Sequence, residues 1–249
     1  MAIEQPFEYT IKSGDSIEKI SRVHGVPQKT IRELNNIEGN RIFAGKKITL
    51  PYSFTPQEQL RKFIGRSTTP EERAFLNAIS EAEGTKTYGT LFGGKELSDI
   101  GKYTVEEIMN MSTSKKFPDG KDVGYGTFAG GTSGATGRYQ FMGDTLKDFI
   151  KNHPLGKLLA KEKFTPAIQD QLILAEIRRK GVDPSKGVTQ ESVNKLSELF
   201  ASFPTDTGSS KFANQPAKSY QFIEDSYKKA LDVYKPEVIN TSTSKWTVG

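Results

Sequence analysis

The stretch Thr69-Pro70-Glu71-Glu72-Arg73-Ala74-Phe75-Leu76-Asn77-Ala78-Ile79-Ser80-Glu81-Ala82-Glu83-Gly84-Thr85 reads as a helix with both ends marked. Thr69 can cap the helix, and Pro70 stands at the first helical position, where a missing N–H leaves no bond unmade. Glu72, three residues after the cap, can close a capping box. Phe75, Leu76 and Ile79 form one apolar stripe, and Gly84 permits the chain to leave the helix. Glu83 follows Ile79 by four residues and projects from the same apolar face. Glu81 lies about 200° around from Ile79 and faces solvent. A carboxyl drawn partly out of water has a raised pKa and keeps a proton near neutral pH, as a general acid requires. The plainer alternative is a fraying helix end at which Glu83 simply meets water.

Working outward, the chain reads as mainly helical to about Tyr234. Thr104-Val105-Glu106-Glu107 repeats the capping pattern. Thr165-Pro166 opens a helix carrying Ile168, Leu172 and Ile177. Val193, Leu196, Leu199, Phe200 and Phe203 mark another, and Tyr220, Ile223, Tyr227 and Leu231 the last. Between Ser112 and Tyr139 a Gly-rich, polar stretch predicts hairpins and loops. Upstream, residues 52–67 are polar, contain Pro56, and read as a linker that can be partly helical. Residues 8–51 read as strand, helix, helix, strand. Tyr9-Thr10-Ile11 alternates, Ser13-Gly14-Asp15-Ser16 is a turn that can cap a helix, Pro27 to Leu34 is a second short helix, and Phe43 to Leu50 a second strand. The expected class is α+β: a small βααβ unit at 8–51, a linker at 52–67, a mainly helical domain with a small β region at 68–236, and a Ser/Thr-rich tail at 237–249.

Composition narrows the function classes. The chain has 249 residues, 26% charged and 35% hydrophobic, with a net charge of +5. No apolar run approaches the roughly 20 residues that span a bilayer, so no membrane insertion is expected. Cysteine is absent, which excludes disulfides and Cys-ligated zinc. His24 and His153 lie in unrelated segments, and no metal or cofactor is expected. The basic residues are dispersed rather than clustered, so nucleic acid is not the expected partner. Gly130-Gly131 lacks the lysine and serine order of a phosphate loop, and no serine sits in a nucleophile elbow. The N-terminus has no basic start followed by an apolar stretch, so no signal peptide is expected and the chain is taken to be made in a host cytoplasm.

Two resemblances carry the functional reading. Tyr9-Thr10-Ile11-Lys12-Ser13-Gly14-Asp15-Ser16, Ile20, Val26, Ile31, Leu34-Asn35-Asn36 and Phe43-Ala44-Gly45-Lys46-Lys47-Ile48-Thr49-Leu50-Pro51 resemble a LysM module nearly end to end. The resemblance implies binding of N-acetylglucosamine units between two loops, here Gly14, Asp15, Ser16 and Ile17, and then Ile37, Arg41 and Ile42. Such modules also serve as assembly adaptors in phage tails, where no sugar is bound, and both readings stay open. Ala74 to Thr85 resembles the catalytic segment of the lambda-phage endolysin family, whose glutamate stands directly before Gly-Thr. That selects Glu83 over Glu81. Further matches follow in order: Tyr88 with Gly93-Gly94, Gly137-Arg138-Tyr139-Gln140-Phe141, Phe164-Thr165-Pro166 with Gln169-Asp170, Arg179-Lys180-Gly181, and Ala201-Ser202-Phe203-Pro204. They cover about residues 70–235. Two departures stand out. Gly89 replaces an Asp that the family often carries, and the loop between Ser112 and Gly131 is longer.

The resemblance implies a lysozyme-like fold and cleavage of peptidoglycan glycan strands as a lytic transglycosylase. Protonated Glu83 would give its proton to the oxygen between N-acetylmuramic acid and N-acetylglucosamine. The carboxylate would then take the proton of the muramyl C6 hydroxyl as that oxygen attacks C1, leaving a 1,6-anhydro sugar. Tyr88, Arg138, Tyr139 and Gln140 are the candidate substrate-binding residues. For Tyr139 the alternative is a core tyrosine whose hydroxyl is satisfied inside the protein. A muramidase of the same fold would want a second carboxylate. Asp99, Asp119 and Asp122 are its candidates, although as exposed turn residues they need no such role. A third reading makes the chain a virion tail or baseplate component that docks to other tail proteins through LysM.

Overall fold

A computed structural model of the chain describes residues 6–51, 56–128, 131–212 and 215–235. In the N-terminal unit, strand β1 (Phe7–Thr10) is followed by helices α1 (Ile17–His24) and α2 (Gln28–Asn35) and by strand β2 (Lys47–Leu50). The strands pair antiparallel, with Phe7 opposite Leu50 and Thr10 opposite Lys47. Ser16 caps α1 by accepting from the Lys19 amide at 3.0 Å. Asn35 behaves like a short piece of strand. Its amide nitrogen donates to the Thr49 carbonyl at 2.7 Å, and its oxygen accepts from the Thr49 N–H at 2.6 Å. That pair pins α2 to β2. Ile11, Ile17, Ile20, Val26, Ile31, Ile48 and Leu50 form a small core separate from that of the larger unit. The second strand is shorter than the reading from Phe43 to Leu50. Residues 43–46 make a turn in which the Lys46 amide donates to the Phe43 carbonyl, and Phe43 is 67% exposed. Leu34 is likewise exposed, leaving Ile31 to supply the packing of α2.

The larger unit opens with α3 (Pro56–Ile64), and here the linker reading needs correction. This helix packs on α7 (Gly156–Leu159) and α8 (Pro166–Arg179), and Leu60 is buried in the main core. Its polar surroundings hid an amphipathic helix with one deeply seated residue. Of the expected linker only 52–55 lies outside the described residues, as does the expected tail at 237–249.

Helix α4 (Pro70–Ala82) starts as the sequence predicts, with Thr69 as cap and a reciprocal capping box to Glu72. Its partner along most of its length is α10 (Tyr220–Tyr234). Between them in sequence come the hairpin β3 (Thr90–Leu91) and β4 (Lys95–Glu96), helix α5 (Val105–Ser114) with its Thr104/Glu107 capping box, and the hairpin β5 (Thr127–Phe128) and β6 (Gly131–Thr132). Then follow α6 (Gly143–Asn152), α7, α8 and α9 (Gln190–Leu196). The apolar spacing that predicts one helix through Phe203 is split. Helix α9 ends at Leu196, and Ser197 to Phe203 continue as turns, with Phe200 and Phe203 still buried. That break positions the site described next.

Candidate active site

Glu83 is the C-cap of α4, and the chain leaves the helix through Gly84 at φ 69°. The Gly84 amide donates to the Glu81 carbonyl at 3.2 Å and the Thr85 amide to the Ser80 carbonyl at 3.0 Å. These two bonds make a Schellman ending, which needs a left-handed residue at position 84. The hydroxyl of Thr85 donates onward to the Arg138 carbonyl at 2.6 Å, tying the helix end to a loop far away in sequence. Local rules thus fix the direction in which Glu83 leaves the helix, and the Thr85 bond fixes what it faces.

Glu83 stands in the wall of a cleft of about 400 Å³. Thr90 to Gly94, Ser133, Ala135, Tyr139, Gln140, Met142 and Thr145 line it, together with Glu198 to Ala201, Phe212 and Gln215. One carboxyl oxygen of Glu83 accepts from the Ser202 hydroxyl at 2.6 Å and from the Ser202 N–H at 3.3 Å. Among the described residues no cation pairs with it. Burial pushes the Glu83 carboxyl above its ordinary range, and the two Ser202 bonds, which favour the ionised form, oppose that push only in part. A carboxyl with a raised pKa in the wall of an open cleft is the arrangement a general acid needs. Glu81, two residues earlier, is exposed on the other side of the helix, where it accepts from Asn77 at 3.2 Å and Ser226 at 3.1 Å.

The other sequence-predicted residues fall into two groups. Tyr139 and Gln140 line the cleft, whereas Tyr88 and Arg138 do not. Tyr139 is 2% exposed, and its hydroxyl donates to Asp170 at 2.6 Å, which is the satisfied core tyrosine of the alternative reading. Tyr88 also donates to Asp170, at 2.9 Å, and Arg138 lies over the Tyr88 ring. Gln140 adopts φ 50°, uncommon for a residue with a side chain, and its amide nitrogen donates to the carbonyls of Gly137 at 2.9 Å and Thr90 at 3.3 Å.

Asp99, Asp119 and Asp122 all lie away from the cleft. Asp99 pairs with Lys102, Asp119 with Lys121 at 2.8 Å, and Asp122 accepts from the Gly124 N–H. A carboxylate that sequence reasoning passed over, Glu198, does line it. Lys211 at 2.6 Å and Lys180 at 3.0 Å hold it down to about 2, so it is ionised throughout the working range. Gly89, the departure from the family pattern, has no room for a side chain. A Cβ there would lie 2.4 Å from the Leu97 carbonyl oxygen and 3.4 Å from a carboxylate oxygen of Glu96. Glu96 in turn accepts from Thr87 and, at 2.7 Å, from Thr90 in the cleft wall.

In the LysM unit, Ile17 is 1% exposed and belongs to the core, and Ile37 and Ile42 pack against its edge. The Asp15 carboxylate is taken up by the Tyr9 hydroxyl at 2.6 Å, the Lys12 amide at 2.8 Å and Lys19 at 3.1 Å. Ser16 is engaged in capping α1. Gly14, with φ 79°, and Arg41 remain exposed. The surface left for a ligand is the backbone of the two loops with Gly14 and Arg41. Arg32 holds the second loop from behind through the Gly39 carbonyl at 2.9 Å and Asn40 at 2.7 Å.

The profile of the family described as Endolysin matches residues 73–233, and that of the LysM domain matches residues 9–51. An autolysin of Enterococcus faecalis (strain ATCC 700802 / V583) is 31% identical over 103 residues, 41% of this chain. The match spans 12% of that much longer relative. Two solved structures of the lysozyme of bacteriophage lambda are similar to the chain. One, complexed with a chitohexasaccharide, has 21% identity and a TM-score of 0.48, covering 66% of this chain and 96% of that one. The other has 20% identity and a TM-score of 0.46, covering 68% and 96%.

Proposed function

The chain belongs to the endolysin family and carries a LysM domain, and from that premise we propose that it cleaves the β-1,4 bond between N-acetylmuramic acid and N-acetylglucosamine in peptidoglycan, as a lytic transglycosylase with Glu83 as its acid. The observation that carries this reading is the state of Glu83, a carboxyl with a raised pKa, hydrogen-bonded among the described residues through Ser202, in the wall of an open cleft. Glu83 gives its proton to the glycosidic oxygen as the bond to C1 breaks. The resulting carboxylate takes the proton of the C6 hydroxyl as that oxygen closes on C1. No water enters, so one carboxyl serves both steps. Phe92, Met142 and Phe212 offer apolar surface for sugar faces, and Tyr139 and Gln140 form the wall beside them.

One observation favours a second reading. Glu198 lies in the wall of the same cleft, with its carboxylate held ionised by Lys180 and Lys211, which line the neighbouring pocket, and hydrolysis of a glycoside commonly uses a second carboxylate to activate water or stabilise charge. Mass spectrometry of muropeptides released from purified sacculi separates the two. Fragments ending in 1,6-anhydromuramic acid support the transglycosylase. Reducing ends in their place make the protein a muramidase and assign Glu198 a part in it.

LysM is proposed as a wall anchor that raises the local concentration of the enzyme on an insoluble polymer. Deleting residues 1–51 is expected to slow cleavage of intact sacculi far more than cleavage of short soluble glycans. If the truncated chain sediments with purified wall as well as the full chain does, LysM is not an anchor, and docking to other proteins becomes the better account.

A further inference from the structure

Two adjacent residues of α8 reach across to the loop that walls the cleft. The Gln169 oxygen accepts from the Arg138 N–H at 3.0 Å, and its amide nitrogen donates to the Tyr88 carbonyl at 3.0 Å. Asp170 takes the Tyr139 hydroxyl at 2.6 Å and the Tyr88 hydroxyl at 2.9 and 3.1 Å. The guanidinium of Arg138 closes the circle. It donates to the Tyr88 hydroxyl at 3.3 Å and, with its other nitrogen, to Asn77 of α4 at 3.2 Å. The carbonyl of Arg138 is held by Thr85, two residues beyond Glu83. The turn from Gly137 to Gln140, with left-handed residues at both ends, is therefore gripped from α8 on one side and from the Glu83 end of α4 on the other.

We propose that Asp170 is a positioning residue: by accepting from both tyrosine hydroxyls it fixes the Gly137–Gln140 turn, so that Tyr139 and Gln140 stand at a set place in the cleft relative to Glu83. The proposal rests on the reading of Glu83 as the acid. It accounts for Tyr88 and Arg138, which share the cluster without entering the cleft. Asp170 touches no substrate. Its influence runs through Tyr139, whose ring backs the cleft while its hydroxyl faces away toward α8.

The test uses the full chain, with kcat/KM on soluble peptidoglycan fragments, its pH profile, and the melting temperature measured for each variant. Asp170→Ala and Tyr139→Phe are expected to lower kcat/KM by about 10-fold to 10²-fold, the scale on which small misplacements act. Asp170→Asn keeps the shape and one acceptor oxygen and should recover part of that loss. The double variant Asp170→Asn/Tyr139→Phe should be no worse than the poorer single, because both break one unit. The pH limb set by Glu83 should stay in place throughout. Where Asp170→Ala does not fold, the Asn and Phe variants carry the test. Folded Asp170→Asn and Tyr139→Phe with wild-type kcat/KM and only a lowered melting temperature would make the cluster a core element and overturn the proposal. Losses that add in the double variant would do the same. Full activity in Glu83→Gln would overturn the functional reading itself.

Discussion

Helix α4 places a glutamate at each end, and the surroundings of the two are opposites. Glu72, in the first turn, is 1% exposed, and Arg66 at 2.5 Å and Arg178 both pair with it. It also accepts from the Thr69 N–H at 3.0 Å, closing the capping box. Glu83, at the C-cap, has among the described residues a single serine, no cation and a cleft beside it. The Glu72 carboxylate lies between two guanidiniums near a helix N-terminus, where its neighbours carry the opposite charge. A carboxyl at the C-terminal end, packed among neutral groups, is favoured with its proton on. The same residue type thus meets two guanidiniums at one end and a serine beside a cleft at the other. The difference lies in the partners that tertiary folding brings up.

That contrast can be broken by experiment. The largest effect is expected from Glu83→Gln, which keeps the size and removes the proton. Cleavage should fall by about 10²–10⁴-fold, the usual share of general acid–base catalysis, with circular dichroism unchanged. The same variant should be more stable than wild type at neutral pH. The native state keeps its proton to higher pH than the unfolded chain, whose glutamates titrate near about 4.3, so wild-type stability declines as pH rises above that value. Melting curves of the two should converge below that pH and separate above it. A Glu83→Gln protein that melts lower than wild type at pH 7 would mean that the native site favours the anion.

Next comes Glu72→Gln, which leaves two arginines facing a neutral group. Both arginines keep contact with water, so the loss should cost about 1–3 kcal/mol, measurable by denaturant titration, while kcat of the folded fraction should hold. A smaller effect follows for Ser202→Ala. Its hydroxyl favours the Glu83 anion, so removing it should move the high-pH limb of kcat/KM to still higher pH. An unmoved limb would detach Ser202 from the titration. Smallest is Glu81→Gln, expected within roughly 0.5 kcal/mol in stability and near wild type in cleavage. A loss there equal to that of Glu83→Gln would sink the assignment of the acid.

What could be read in advance was what local rules determine. Thr69-Pro70-Glu71-Glu72 and Glu83-Gly84-Thr85 mark the ends of α4 because capping and the left-handed exit involve neighbours in sequence. The LysM strand order was legible for the same reason. Ser202 was seen only as part of a matching segment, since its bond to Glu83 spans 119 residues. Helix α9 was read too long because Leu199, Phe200 and Phe203 keep an apolar spacing that turns can also bury. Helix α3 is marked only weakly in the sequence, as a linker with helical potential, because Leu60 is its one buried anchor among polar residues. Glu198 gave no signal at all. Its position in the cleft depends on where α9 stops, and its charge state depends on lysines 18 and 13 residues away.

The docking of α3 onto the enzyme domain also limits reach. Once that helix is counted as part of the catalytic body, the connection from Pro51 to Pro56 spans at most roughly 18 Å, five steps of an extended chain. On the proposed reading of LysM as a wall anchor, the enzyme can then work only on strands close to its foothold and must let go to reach new ones. Cutting should advance as local breaches rather than as even thinning, and release of the anchor, rather than bond cleavage, would set the pace at which a breach spreads.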